Sequence, residues 1–162
     1  MLKGIKSKEY QIKFKALLYS GLRYIEAQRL FDNHDWFDGN FIKLPSVKKK
    51  ARQRERWVRL NPVGKATVEH FLTLKTDLPN RGTWGENLER WSRNVNLSSK
   101  GLCPKTTRKT WESWLLYYYP QYQVHIAQSQ GHTNLVQFEH YINMPFLEQD
   151  KIEMRLFVEG WI

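Results

Sequence analysis

Apolar residues recur at helical spacing along almost the whole chain, and the spacing tightens to alternation only between positions 34 and 60. That contrast restricts the fold to a mainly helical α+β arrangement with a small sheet inserted early in the order. From Ser7 to Phe31, the residues Tyr10, Ile12, Phe14, Leu17, Leu18, Leu22, Ile25, Ala27 and Leu30 follow a helical repeat interrupted at Ser20-Gly21, so two helices meeting at Gly21 are expected. Three short β-rich segments follow, His34 to Phe37, Phe41 to Leu44 and Arg56 to Leu60, with Asp38-Gly39 as a turn between the first two. A small three-stranded antiparallel sheet is the expectation. Between its second and third strands runs the strongly basic stretch Ser46 to Arg54.

Asn61-Pro62 closes the sheet region, and helices are expected over Val63 to Lys75, Gly85 to Arg93, Lys105 or Thr106 to Tyr119, Gln121 to Ser129 and Leu135 to Tyr141. Beyond Pro145, the residues Leu147, Ile152, Leu156, Phe157 and Trp161 mark a terminal helix with one apolar face, suited to a neighbour. The 162 residues suit one domain, because a chain of this size removes roughly two-thirds of its surface from water. The helical pattern starts almost at the first residue, as in a domain that forms the later part of a longer chain.

Charge narrows the function. The net charge is +10 in a chain that is 41% apolar and 14% aromatic, which excludes an unfolded polycation and describes a packed fold with a positive surface. A polyanion is the expected partner, nucleic acid ahead of an acidic membrane. Cys103 is the single cysteine, so no internal disulfide forms and a reducing compartment is expected. No stretch approaches the ~18 to 20 apolar residues of a membrane span, and a soluble protein is expected. His125, His132 and His140 lack a cysteine or paired carboxylate to complete a zinc set, so neither metal nor cofactor is anticipated.

Four elements carry chemistry when taken together. Gly21-Leu22-Arg23-Tyr24-Ile25-Glu26-Ala27-Gln28-Arg29-Leu30 resembles the first arginine box, G-L-R-x-x-E-x-x-x-L, of the tyrosine recombinases, the phage-integrase family. Lys105-Thr106-Thr107-Arg108 resembles the second box, Gly131-His132 the family's G-H, and Tyr141 its nucleophile. Arg108 precedes His132 by 24 residues and His132 precedes Tyr141 by nine, intervals close to the family's. Read singly, Arg23 is a surface cation, His132 a capping or core-edge histidine, and Tyr141 a buried aromatic with a satisfied hydroxyl, as Tyr117 and Tyr119 are expected to be. Order and interval together argue for the site.

The resemblance implies the mainly helical catalytic fold of that family across residues 1–162. It also implies an enzyme that cleaves and rejoins double-stranded DNA through a 3′-phosphotyrosyl link, integrating and excising a mobile genome. Tyr141 would be the nucleophile, Arg23 and Arg108 would clamp the nonbridging oxygens, and His132 would hydrogen-bond the phosphate. The general acid would be a lysine of the strand-connecting loop, where Lys48, Lys49 and Lys50 all qualify and Lys50 stands nearest the family position. That same loop, with Lys48, Lys49, Arg52 and Arg54, would lie on DNA, mostly on phosphates. Lys105 stands where most members carry histidine, which is similar to integrases of archaeal viruses and plasmids. Lysine donates to phosphate but has no lone pair to act as base at neutral pH.

The family implies a monomer that assembles into a tetramer on DNA, no membrane, an N-terminal DNA-clamping domain, and work at the host nucleoid in the cytoplasm. A catalytically reduced DNA-binding accessory module and a type IB topoisomerase-like relaxing enzyme are the alternatives.

Overall fold

The computed structural model describes residues 1–46, 55–132 and 146–162. Lys48, Lys49, Lys50, Arg52, Arg54, the expected helix over Leu135 to Tyr141, and Tyr141 itself lie outside the described residues. Helix α1 (Lys8–Ser20) is capped by Ser7, whose side chain accepts the Tyr10 N–H, and stops at Gly21 in the left-handed region with φ 61°. A Cβ at Gly21 would lie 2.7 Å from Trp111 Cδ1, so both space and conformation demand glycine there. Helix α2 (Tyr24–Asp32) starts at once, with Arg23 as its N-cap and the Glu26 carboxylate accepting the Arg23 N–H at 2.8 Å. The expected break at Gly21 is therefore the junction of two helices.

The sheet is smaller than expected. Among the described residues it has two strands, β1 (Phe41–Leu44) and β2 (Arg56–Arg59), antiparallel with Ile42 opposite Val58. His34–Trp36 forms a 3₁₀ turn, and Phe37 contributes only an isolated bridge to Ile42. The cause is local: Trp36 N–H donates to Asn33 O and Phe37 N–H to His34 O, both at 3.1 Å, so a ladder finds those donors already engaged. The Asp38-Gly39 turn does form, with Asp38 Oδ1 accepting the N–H groups of Asn40 and Phe41. Ile42, Leu44 and Val58 face the core while Lys43 and Trp57 pair on the outer face.

Helix α3 (Pro62–Leu72) opens with Asn61 as cap and proline in its first turn. Helix α4 (Arg81–Arg93) begins four residues before the expected Gly85, because the Asn80 side chain caps it by accepting the Thr83 N–H. Trp84, Leu88 and Trp91 recur at helical spacing on its buried face, and the two indoles meet edge to face at 5.3 Å. Helix α5 (Thr106–Tyr118) lies beside α1, and a 3₁₀ turn (Pro120–Tyr122) leads into α6 (Gln123–Gln130), which packs on β2 and α5. Tyr117 and Tyr119 donate their hydroxyls to the carbonyls of Phe146 and Val158, the structural roles expected of them.

Helix α7 (Glu148–Val158) corrects the expected apolar stripe. Met154, Val158 and Trp161 are buried and Phe157 stacks on Tyr19 and Trp114, whereas Leu147, Ile152 and Leu156 are exposed. Leu156 lies one position and Ile152 five positions before Phe157 on the helix, about 100° and 140° of rotation away, so they do not share its face. The Trp161 indole donates to Arg59 O at 3.1 Å, anchoring the segment on the chain's own β2.

Candidate active site

The site is built around the carboxyl end of α6. Gly131 adopts φ 68°, and His132 N–H reaches back to Ala127 O at 2.9 Å, the pattern of a Schellman cap. This cap leaves the last carbonyls of α6 pointing outward, and three consecutive ones each take an arginine. Arg56 Nη1 donates to Ser129 O at 2.5 Å, Arg108 Nη2 donates to Gln130 O, and Arg23 Nη2 donates to Gly131 O at 3.3 Å. The negative end of the helix dipole suits three cations. A Cβ on residue 131 would lie 2.6 Å from Arg56 Nε, so glycine is needed for the arginine as well as for the backbone.

Two carboxylates complete the cluster, Glu112 buried and Glu26 partly so. Glu26 takes Arg23 Nη1 on one oxygen at 2.7 Å and Arg56 Nη2 on the other at 2.6 Å. Glu112, one turn after Arg108 on α5, accepts from Arg108 Nε at 2.9 Å and stands 2.8 Å from His132 Nε2. Arg108 Nη1 also donates to Gly21 O at 2.9 Å, which ties the first arginine box to the second. His132 Nε2 lies 3.2 Å from Arg108 Nη2. A ring nitrogen cannot both donate to Glu112 and accept from Arg108, and the shorter contact to a carboxylate is the favoured hydrogen bond.

Electrostatics follow from this arrangement. Burial would push the Glu26 carboxyl up, but Arg56 and Arg23 beside it outweigh that and hold it below its ordinary 4.5. Burial lowers Arg108 to about 10 against the support of Glu112, with Arg23 and Arg56 adding to the depression, so it is still a cation at neutral pH. Arg56 is also lowered by burial and supported by Glu26. Three guanidinium groups face two carboxylates, a surplus of one cation among these five groups.

Among the described residues Arg108 Nε and Nη1 each have one partner and Nη2 lies against both Gln130 O and His132 Nε2, so Nη1 keeps one N–H beyond these contacts. The Arg23 side chain is one-third exposed. Together these groups can hold a tetrahedral oxyanion.

The structure thus brings Arg23, Arg108 and His132 together from α2, α5 and the end of α6. Lys105 is exposed at the N-cap of α5, one turn ahead of Arg108. Three members were not foreseen in these roles. Glu26 is visible as the acidic partner of a capping pattern with Arg23. Glu112 carries the signal of a lone carboxylate four residues beyond Arg108, beside Trp111, Leu115 and Leu116. Arg56 reads in sequence only as the last cation of a basic run. A separate surface groove of about 510 Å³ between α1 and α3, lined by Ile12, Lys15, Pro62, Val63, Ala66, Thr67 and His70, contains none of these residues. No three of the described His, Cys, Asp and Glu residues are grouped so as to hold a metal ion, and no described helix is long and apolar enough to cross a membrane.

No protein-family model matches the chain, and neither does any curated protein sequence. Among solved structures, the chain is similar to the integrase of the transposon Tn1549 in complex with a circular intermediate DNA, with a TM-score of 0.65 and 14% identity. The match covers 96% of this chain and 61% of that one. The chain has an integrase fold. The integrase fold accounts for a small sheet set among helices, and it extends over nearly every element described above.

Proposed function

We propose that the protein is a tyrosine recombinase that breaks and rejoins double-stranded DNA, integrating and excising a viral or plasmid genome. The observation that carries this reading is the meeting of Arg23 and Arg108 on adjacent carbonyls, Gly131 O and Gln130 O, beside His132. The similarity of the fold to a DNA-bound integrase supports it. In this reading the two arginines hold the nonbridging oxygens of the scissile phosphate and offset the charge that grows on them in the transition state. The Tyr141 phenolic oxygen attacks phosphorus in line, the bond to the 5′-oxygen breaks, and a 3′-phosphotyrosyl link stores the bond energy for rejoining. Lys50, or its neighbours Lys48 and Lys49, gives a proton to the departing 5′-oxygen. Lys105 adds positive charge at the phosphate, in the manner of the archaeal type.

Lys48, Lys49, Arg52 and Arg54 then track the DNA backbone, and recombination between two sites takes a tetramer of this chain at the nucleoid. The exposed Leu147, Ile152 and Leu156 are candidates for contacts between copies. Incubation with a nicked suicide DNA site tests the chemistry. A covalent protein–DNA adduct is expected with the parent chain and is lost in Tyr141→Phe. The absence of an adduct across a panel of DNA sites would favour the DNA-binding accessory module instead.

A further inference from the structure

Glu112 is a carboxylate with 1% of its surface exposed, on a helix face it shares with Trp111, Leu115 and Leu116. Burying a charge there is costly, and where stability alone is at stake an apolar side chain of similar volume serves as well. The group's geometry gives a reason for its presence. One oxygen, Oε1, faces two donors of the site: Arg108 Nε at 2.9 Å and His132 Nε2 at 2.8 Å. With Nε held by Glu112, Nη1 by Gly21 O and Nη2 by Gln130 O, the guanidinium of Arg108 is fixed along all three of its nitrogens. Its remaining N–H groups are aimed without freedom to turn. The same carboxylate stands 2.8 Å from His132 Nε2 and favours the tautomer that carries a proton there.

We infer that Glu112 is a positioning residue that locks Arg108 and His132 into one rigid phosphate-binding unit, an inference that rests on the recombinase reading above. It parallels Glu26, which bridges Arg23 and Arg56 with one oxygen on each. Each carboxylate therefore orders one pair of donors, and Glu112 orders the pair that contains the most deeply buried arginine of the cluster. A positioning group acts on the rate of the chemical step more than on the affinity for DNA, because it governs how well the donors match the transition state.

The test uses Glu112→Gln, which keeps the shape and removes the charge, and compares the rate of adduct formation at saturating suicide DNA with the affinity for the same DNA. Adduct formation is expected to slow roughly 10- to 100-fold, with Kd changed less than about threefold. Glu112→Gln is expected to slow His132→Ala by a smaller factor than it slows the parent chain, because only the part of its effect that runs through Arg108 remains.

Independent, multiplying effects of the two substitutions would overturn the inference, as would losses of affinity and rate in equal measure. If Glu112→Gln does not fold, Glu112→Asp, which keeps the charge but shortens its reach, is expected to give the same split. Failure of both to fold would mark Glu112 as a purely structural group and overturn the inference. If the parent chain forms no adduct, the recombinase reading itself fails. A normal parent adduct with an unchanged Glu112→Gln rate removes only the role of Glu112.

Discussion

Two places among the described residues bury cations, and they differ in their balance of charge. Lys13 on α1 is 2% exposed; its ammonium pairs with Glu9 at 2.6 Å, donates to Thr76 at 2.8 Å and lies over the Tyr10 ring. One positive charge meets one negative charge, and the group joins α1 to the segment beyond α3. The cluster at the end of α6 sets three guanidinium groups against two carboxylates and uses helix carbonyls to hold the remainder. Balanced charge closes a contact, whereas a surplus held in fixed orientation waits for an anion. On the proposed reading, the excess of one charge, more than the number of cations, is what would make the arginine cluster a phosphate site.

The largest expected effect sharpens that contrast. Arg108→Ala strips Glu112 of its guanidinium partner and should cost about 3–5 kcal/mol in urea unfolding, together with complete loss of covalent adduct. Lys13→Met leaves Glu9 partly exposed and still bonded to Thr76, so its cost should be less than about 1 kcal/mol, with DNA binding unchanged. Equal losses in the two variants would break the comparison.

Next in size is Gly131→Ala. The left-handed backbone alone should cost about 1–2 kcal/mol, and the new Cβ, 2.6 Å from Arg56 Nε, should displace that side chain. Gly39→Ala pays only for its φ of 90°, since no atom lies within 4 Å of the added carbon. Adduct formation should therefore fall in Gly131→Ala and be spared in Gly39→Ala.

Acid sensitivity is the smallest effect. The folded Glu26 carboxyl titrates below its ordinary 4.5, so its contribution to stability is present above that value and is lost as pH falls through the folded one. Glu9 is lowered too, mainly by its hydrogen bonds to Lys13 and Thr76, but water screens its exposed side. Urea midpoints followed from about pH 5 to pH 2 should decline less steeply in Glu26→Gln than in the parent chain. Glu9→Gln should follow the parent closely.

Much of this was legible in the sequence because it is local. The break at Gly21, the helical stretches beginning near Ser7 and after Asn61-Pro62, and the order of the arginine boxes need only neighbours in the chain to be read. The strand expected over His34 to Phe37 failed because four alternating residues are too few to outweigh 3₁₀ hydrogen bonds made within the same stretch. The apolar spacing places the start of helix α4 at Gly85, whereas the cap at Asn80 sets its true start four residues earlier.

The site shows the same division. Arg23, Arg108 and His132 were readable as members of spaced motifs. Arg56 was not, because its role depends on β2 lying against the end of α6, a contact between residues 73 positions apart. Glu112 escaped notice because a carboxylate four residues after an arginine reads as an ordinary surface pair until burial shows otherwise. The stripe on α7 was read one face too wide, since neither Ile152 nor Leu156 reaches the core that holds Trp161.

The central claim is that the surplus charge of the arginine cluster is a seat for a tetrahedral phosphate, and tungstate, a phosphate mimic with strong anomalous scattering, tests it in crystals of the protein. The account predicts an anomalous peak within hydrogen-bond reach of both Arg23 and Arg108 and none at Lys13. An empty arginine cluster at saturating tungstate would contradict it.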